Sequence, residues 1–208
     1  EPVQGEGGVR PASKEFLQGL RELCDEKGIL LMFDEVQVGS GRTGKLFAHQ
    51  YYGVEPDCCS MAKALGSGVP VAAVCAKGDA AKTLTPGTHG STFAGGPLAC
   101  ALAMTTLDVM LNEGVLDNCA KVGEYFRKQA HEVIEKHHPD AVDEIRGLGL
   151  INGIQLKKES GAPVVDLCFK DNKVLINNTN GNVLRFIPPL VTTEEEVDIV
   201  INAVDQDR

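Results

Sequence analysis

The sequence has no excess of positive charge. Its 20 Lys and Arg stand against 29 Asp and Glu, a formal net charge of −9 over 208 residues. A phosphate backbone or an anionic membrane surface needs a basic face, so nucleic-acid and lipid-surface binding are excluded as the main business of the chain. No apolar run approaches the roughly 20 residues that cross a bilayer. The seven cysteines (24, 58, 59, 75, 100, 119 and 168) contain no C-x-x-C pair, and the five histidines are scattered. These patterns argue against a metal site and for small buried thiols in a reducing compartment, the cytoplasm being the expected location. The adjacent Cys58 and Cys59 suit a strand interior better than a redox device. Internal repeats and low-complexity tracts are also lacking.

What remains is an ordinary globular composition, 43% hydrophobic and 24% charged, with an unusual 23 glycines. The chain begins Glu1-Pro2-Val3-Gln4 without an initiator Met, a signal-like stretch or a lead-in to its first element. It is therefore expected to be a piece of a longer protein, and targeting signals cannot be judged from it.

Periodicity predicts a helix from residue 13, with Ser13 as N-cap and Gly28 as stop, burying Phe16, Leu17, Leu20, Leu23 and Cys24. Ile29–Phe33 is a continuous apolar run ending in Asp34, the mark of a strand buried on both faces. Cys58–Ala62 and Val71–Ala76 read as further short strands. Glycine-rich loops lie between them, so an α/β layer with a mostly parallel sheet is expected. Pro97 opens a long apolar helix to about Leu111, and Gly114 ends it. An amphipathic helix follows to about Lys136. Beyond Pro139 come short strands at Val142–Arg146, Leu150–Leu156, Val174–Asn177 and Val183–Phe186, with a helix near residues 164–171. Thr193 to Glu196 forms a capping box for a last helix with Val197, Val200, Ile201 and Val204 inward. The expected division is a large-domain portion at 1–113 and a small α+β domain at 114–208.

Two phosphate-binding signatures are imitated and fail on order. Gly39 to Gly44 satisfies G-x-G-x-x-G after a strand, but Lys45–Tyr52 is short and aromatic where a packed helix should follow. Glu55 and Asp57 precede the next strand rather than ending it. The same loop is one residue from a P-loop, with Leu46 where Ser or Thr should bind magnesium. The acids of such a site belong on a neighbouring strand, whereas Asp34 and Glu35 end the strand that feeds the loop.

Open α/β sheets bind ligands at the carboxyl ends of their strands, and there the chemistry collects. Asp34 ends one strand and Lys63 follows another. Each alone reads as a turn former or an exposed strand-end residue. Together with His89-Gly90-Ser91-Thr92 and Gly95-Gly96-Pro97 they suggest more. A desolvated lysine can lose its proton and attack a carbonyl, and a buried carboxylate needs a cation, which a protonated pyridine nitrogen provides.

At these residues the sequence resembles the class III, fold-type I pyridoxal-phosphate aminotransferases, and specifically their C-terminal half. The matching stretches are EPVQGEGG (1–8), LLMFDEVQVGSGRTGKLFA (30–48), KALGSGVP (63–70), HGSTFAGGPLACA (89–101), RGLGLINGIQL (146–156) and NVLRFIPPL (182–190). The resemblance implies that Lys63 carries pyridoxal 5'-phosphate as a Schiff base and then serves as general acid/base, a role worth roughly 10²–10⁴ in rate. It implies that Asp34 pairs with the pyridinium nitrogen, that Gln37 approaches the phenolic oxygen, and that Ser91 and Thr92 bind the phosphate across a homodimer interface. Arg185 would hold a substrate carboxylate in a bidentate fork, with Glu6 beside it.

The implied reaction is ping-pong transfer of the terminal amine of N-acetylornithine to 2-oxoglutarate, a step of arginine biosynthesis. Ornithine, succinylornithine and γ-aminobutyrate are the alternative donors. A non-catalytic truncated domain is the reading from another class. The glycine-rich phosphate cradle, the stacking aromatic and the arginine for the distal carboxylate would lie upstream. This chain alone is thus expected to bind cofactor weakly and to be inactive.

Overall fold

The computed structural model describes residues 1–157 and 160–206. In chain order the strands and helices are β1 (Val3–Gln4), β2 (Arg10–Pro11), α1 (Lys14–Lys27), β3 (Met32–Asp34), α2 (Ala48–Tyr52), β4 (Cys58–Met61), β5 (Ala73–Ala76), α3 (Gly78–Ala81) and α4 (Pro97–Asn112). They continue with α5 (Val115–Gln129), β6 (Val142–Leu148), β7 (Ile151–Leu156), α6 (Ala162–Asn172), β8 (Asn177–Thr179), β9 (Val183–Phe186) and α7 (Glu194–Gln206). A 3-10 turn covers Lys63–Gly66, and a wide π turn, Ala130–Glu135, extends α5. The chain divides into two units. One holds Glu1–Pro2, Ala12–Gly41 and Lys45–Val115; the other holds Val3–Pro11, Arg42–Gly44 and Leu116–Arg208. Two segments before residue 114, Val3–Pro11 and Arg42–Gly44, therefore pack with the later half of the sequence.

In the first unit α1 starts where Ser13 Oγ accepts the Phe16 N–H at 3.1 Å and stops at Gly28, which is left-handed with φ 64°. Both caps are those expected from the sequence. The apolar face is narrower than expected, because Leu17 and Cys24 are buried while Phe16 and Leu23 stand exposed. The sheet has three strands in the order β3-β4-β5. β3 and β4 are parallel, with Asp34 beside Ser60, and α2 lies in the crossover between them. β5 runs antiparallel to β4, against the expectation of a mostly parallel sheet. The reason is the connection: from β4 to β5 the chain carries only the 3-10 turn, too little for the crossover that a parallel strand needs. Nor is β3 buried on both faces. Phe33 is buried, but Met32 on the opposite face is 65% exposed. Asp57 ties the start of this sheet to α1. Its carboxylate accepts from the Leu31 N–H and from Arg21, each at 2.8 Å, and these bonds hold it below the usual carboxylate range.

In the second unit a four-stranded antiparallel sheet, β6-β7-β9-β8, carries the core residues Ile151, Ile154, Val183 and Leu184, and Leu150 is buried in the β6–β7 turn. Phe126 of α5 packs on Phe186 with ring centroids 4.8 Å apart. The final helix has the capping box expected: the Thr193 N–H donates to Glu196 Oε2 at 3.0 Å, and the Glu196 N–H returns to Thr193 Oγ1 at 3.3 Å. Its inner face is Val197, Ile201 and Val204. The glycine loop that imitates a phosphate site has a packing role here. Arg42 Nη1 donates to the carbonyls of Leu150 (2.8 Å) and Pro188 (2.9 Å), and burial lowers the pKa of its guanidinium. No single helix among the described residues is long and apolar enough to cross a membrane.

Candidate active site

Two groups of residues collect the chemistry, one in each unit. In the first unit the parallel pair β3–β4 brings the carboxyl ends of both strands to one edge. The register sets Asp34 next to Ser60, and Lys63 follows three residues beyond. Parallel neighbours lie about 4.8 Å apart, so Asp34 and the β4 exit share one rim of the sheet. The Asp34 carboxylate is exposed and accepts the Val36 N–H at 2.9 Å, which turns the chain away from the strand. Gln37, half-buried, lies in the loop so formed.

Lys63 has φ 44°, in the left-handed region that a side-chain-bearing residue occupies only when its surroundings hold it there. The strained residue is fixed from behind. Met61 and Leu65 on either side of it pack with Ala103 of α4, and Phe47, Val71, Ala73 and Leu107 close around them. Lys63 and Ser91 line one cavity of about 680 Å³, together with Gly68, Pro70, Phe93 and Gly95. Thr92 is exposed beside Ser91 but is not in that lining, and neither Asp34 nor Gln37 is in it.

Sequence reasoning passed over Glu35 as a residue of this rim. Its side chain is fully buried and accepts from the Ala48 N–H (2.6 Å), the His49 N–H (2.8 Å) and His49 Nδ1 (2.9 Å). Its backbone is engaged as well: the N–H donates to Ser60 O, and the carbonyl accepts from the Gly39 N–H at 2.7 Å. Glu35 thus locks the loop that carries Asp34 and Gln37 to both β4 and α2. The one available signal was an acid standing next to Asp34 with no cation near it in sequence.

The second unit holds Arg185 and Glu6. Arg185 Nη1 donates to Glu6 Oε1 at 2.7 Å, and Nε donates to Asn177 Oδ1 at 3.0 Å. The arginine side chain is 8% exposed and the glutamate 69% exposed, so a planar cation is held from within by a partner at the surface. Asn177 is the cross-strand partner of Arg185 in the β8–β9 ladder and was also missed. Among the described residues no group of three or more His, Cys, Asp or Glu converges to hold a metal. The first unit instead offers an amine, a hydroxyl loop and a rim carboxylate, groups that fit an aldehyde-bearing, phosphorylated pyridine, and the second unit by itself offers a guanidinium that fits a carboxylate.

The chain is 50% identical to acetylornithine aminotransferase 1 of Bradyrhizobium diazoefficiens over 206 residues, which is 99% of this chain and 50% of that protein. Ornithine aminotransferase from Toxoplasma gondii, whose structure has PLP at partial occupancy in its active site, superposes with a TM-score of 0.92 at 40% identity. The match covers 99% of this chain and 49% of that one. Acetylornithine aminotransferase from Elizabethkingia anophelis gives a TM-score of 0.90 at 40% identity, covering 99% of this chain and 52% of that one. The chain spans about half the length of the relatives it matches. With the aminotransferase class-III family model matching residues 1–206, the chain belongs to the class III aminotransferases.

Proposed function

We propose that this chain supplies the lysine, the pyridine-binding carboxylate and a carboxylate-binding arginine to a pyridoxal-phosphate-dependent aminotransferase. The proposed reaction moves the terminal amine of N-acetylornithine to 2-oxoglutarate. The observation that carries the reading is Lys63: a left-handed lysine at the exit of β4, wedged by Met61 and Leu65, in the lining that also holds Ser91.

Each residue then has a physical task. When bound, pyridoxal phosphate supplies an electron sink for the carbon that bears the amine. The Lys63 amine would serve as the base that accepts a proton from the amine-bearing carbon and as the acid that gives it back. The Asp34 carboxylate, at the same rim, keeps a pyridine nitrogen protonated by Coulomb attraction. Gln37, three residues on, offers an amide donor to the ring oxygen. Ser91 and Thr92 would offer hydroxyl and backbone donors to the phosphate, and the exposure of Phe93 (90%) in their loop and of Leu98 (72%) in the first turn of α4 supports a role at a homodimer interface. Arg185 forks a carboxylate. With Glu6 on it, the arginine is masked while a donor presents its terminal amine. The exposed Glu6 must turn aside when 2-oxoglutarate presents a carboxylate instead.

The identity of the donor rests on the acetylornithine relatives, and the Toxoplasma neighbour makes ornithine the second reading. Turnover with N-acetylornithine, ornithine and γ-aminobutyrate in a full-length protein containing this sequence separates them. The expected result is kcat/KM highest for N-acetylornithine by tenfold or more, about 1.4 kcal/mol in the barrier. A preference for ornithine would move the assignment to the second reading.

A further inference from the structure

The first unit also carries a pair of thiols that the aminotransferase reading leaves unused. Cys59 of β4 and Cys75 of β5 are direct partners in the antiparallel ladder. Lys77 N donates to Asp57 O at 2.9 Å, so by alternation the Cys59–Cys75 pair, two residues along, is of the hydrogen-bonded kind. Such pairs hold their Cα atoms about 5.5 Å apart, inside the range a disulfide spans, and their Cβ atoms somewhat wider than a disulfide needs, so closing the bond draws β4 and β5 slightly together. Directly opposed residues point to the same face of a sheet, so both thiols face one side. Cys58, next in sequence, points to the other.

Both thiols line a single cavity of about 210 Å³, to whose lining Cys58, Phe47 and His49 also contribute. The Nδ1 of His49 is held by the buried Glu35, and its ring stacks on Phe47 at 5.1 Å. The two sulfurs differ in access: Cys75 is exposed and Cys59 is buried. Burial first, and the neighbouring Cys75 second, push the Cys59 thiol up to about 11.

We propose that Cys59 and Cys75 form a two-thiol oxidation site that closes to a cross-strand disulfide on reaction with a hydroperoxide. The exposed Cys75 sulfur attacks one peroxide oxygen. The O–O bond breaks, and the leaving hydroxide takes up the thiol proton as water. Cys75 becomes a sulfenic acid, oxidised by two electrons. The Cys59 sulfur then displaces the sulfenic hydroxyl, the S–S bond forms, and the Cys59 proton leaves with that hydroxyl as a second water. The sum is two thiols and one hydrogen peroxide giving one disulfide and two waters. The link would join β4 to β5 four residues before Lys63. It rests on strand register and on the access of the two thiols, and is independent of the assigned substrate.

The test is to treat a full-length protein containing this sequence with hydrogen peroxide, alkylate, and read intact mass and peptide map without reductant. The expected product is a monomer lighter by two hydrogens with Cys59 joined to Cys75, formed equally in Cys58→Ser. Cys75→Ser should form no link. Cys59→Ser should stop at a Cys75 sulfenic acid that dimedone traps. Because Cys75 is exposed, the Cys75→Ser chain is expected to fold, and the Cys58→Ser chain controls for the neighbouring thiol. A link through Cys58, a covalent dimer, or a Cys75 that oxidises to sulfinic acid with Cys59 still free would overturn the proposal.

Discussion

A Gly149→Ala chain is expected to lose at least about 3 kcal/mol of stability, a large share of the roughly 5–15 kcal/mol that a folded domain has in total. A β-carbon placed on Gly149 would sit 2.4 Å from Arg42 O and 2.7 Å from the carbonyl carbon of Thr43. These are backbone atoms, so no side chain can swing aside. They are also held in place, because the Leu150 N–H donates to that same Arg42 oxygen at 2.8 Å. The φ of 55° adds a left-handed penalty of about 1–2 kcal/mol. Gly123 on α5 presses on the other side, where an added β-carbon would meet Gly149 O. Urea unfolding checks the prediction, with Gly53→Ala as control. Gly53 is also left-handed, at φ 67°, but has nothing within 4 Å of the added carbon, so only the backbone penalty should appear. Equal losses at the two sites would mean that the close approach at Gly149 relaxes freely.

The second large effect is expected at Glu35. Removing the side chain in Glu35→Ala leaves the Ala48 and His49 N–H groups without their acceptor and strips His49 Nδ1 of its partner. The residue before α2 is Phe47, which has no side-chain acceptor, so Glu35 acts as the cap of that helix from 13 residues away. Breaking a buried charged network of this kind costs about 3–5 kcal/mol. Glu35→Gln keeps one acceptor oxygen but turns an N–H₂ toward an N–H, and should cost about 1–3 kcal/mol. Denaturant unfolding gives the magnitude, and hydrogen exchange at the Ala48 and His49 amides gives the place. If both amides stayed protected in Glu35→Ala, the carboxylate would not be what orders the loop between Asp34 and α2.

Local signals carried much of the fold in the sequence. Ser13, Gly28, Pro97 and the Thr193–Glu196 box mark helix ends by short-range hydrogen bonding, and each stands where the spacing set it. The direction of β5 was misread because an apolar run encodes burial and not polarity of pairing; the missing crossover helix was the cue. The burial of β3 was misread for a related reason. An apolar run does not say what covers it, and Met32 lies on an uncovered face. At the candidate site, the ends of β3 and β4 follow from strand order alone, so the positions of Asp34 and Lys63 at those ends were legible. Glu35, Asn177 and the Cys59–Cys75 pair were not, because each acts on a residue that only tertiary register brings near. Arg42 shows the converse: a loop that copies a phosphate motif in sequence spends its arginine on two backbone carbonyls.

The central claim is that Lys63 is the residue that bonds the cofactor. In a full-length protein containing this sequence, pyridoxal phosphate should produce a visible Schiff-base band. Borohydride reduction and peptide mapping should then place the pyridoxyl group on Lys63 alone among the lysines. A reduced cofactor attached to another lysine, with Lys63 unmodified, would contradict the account.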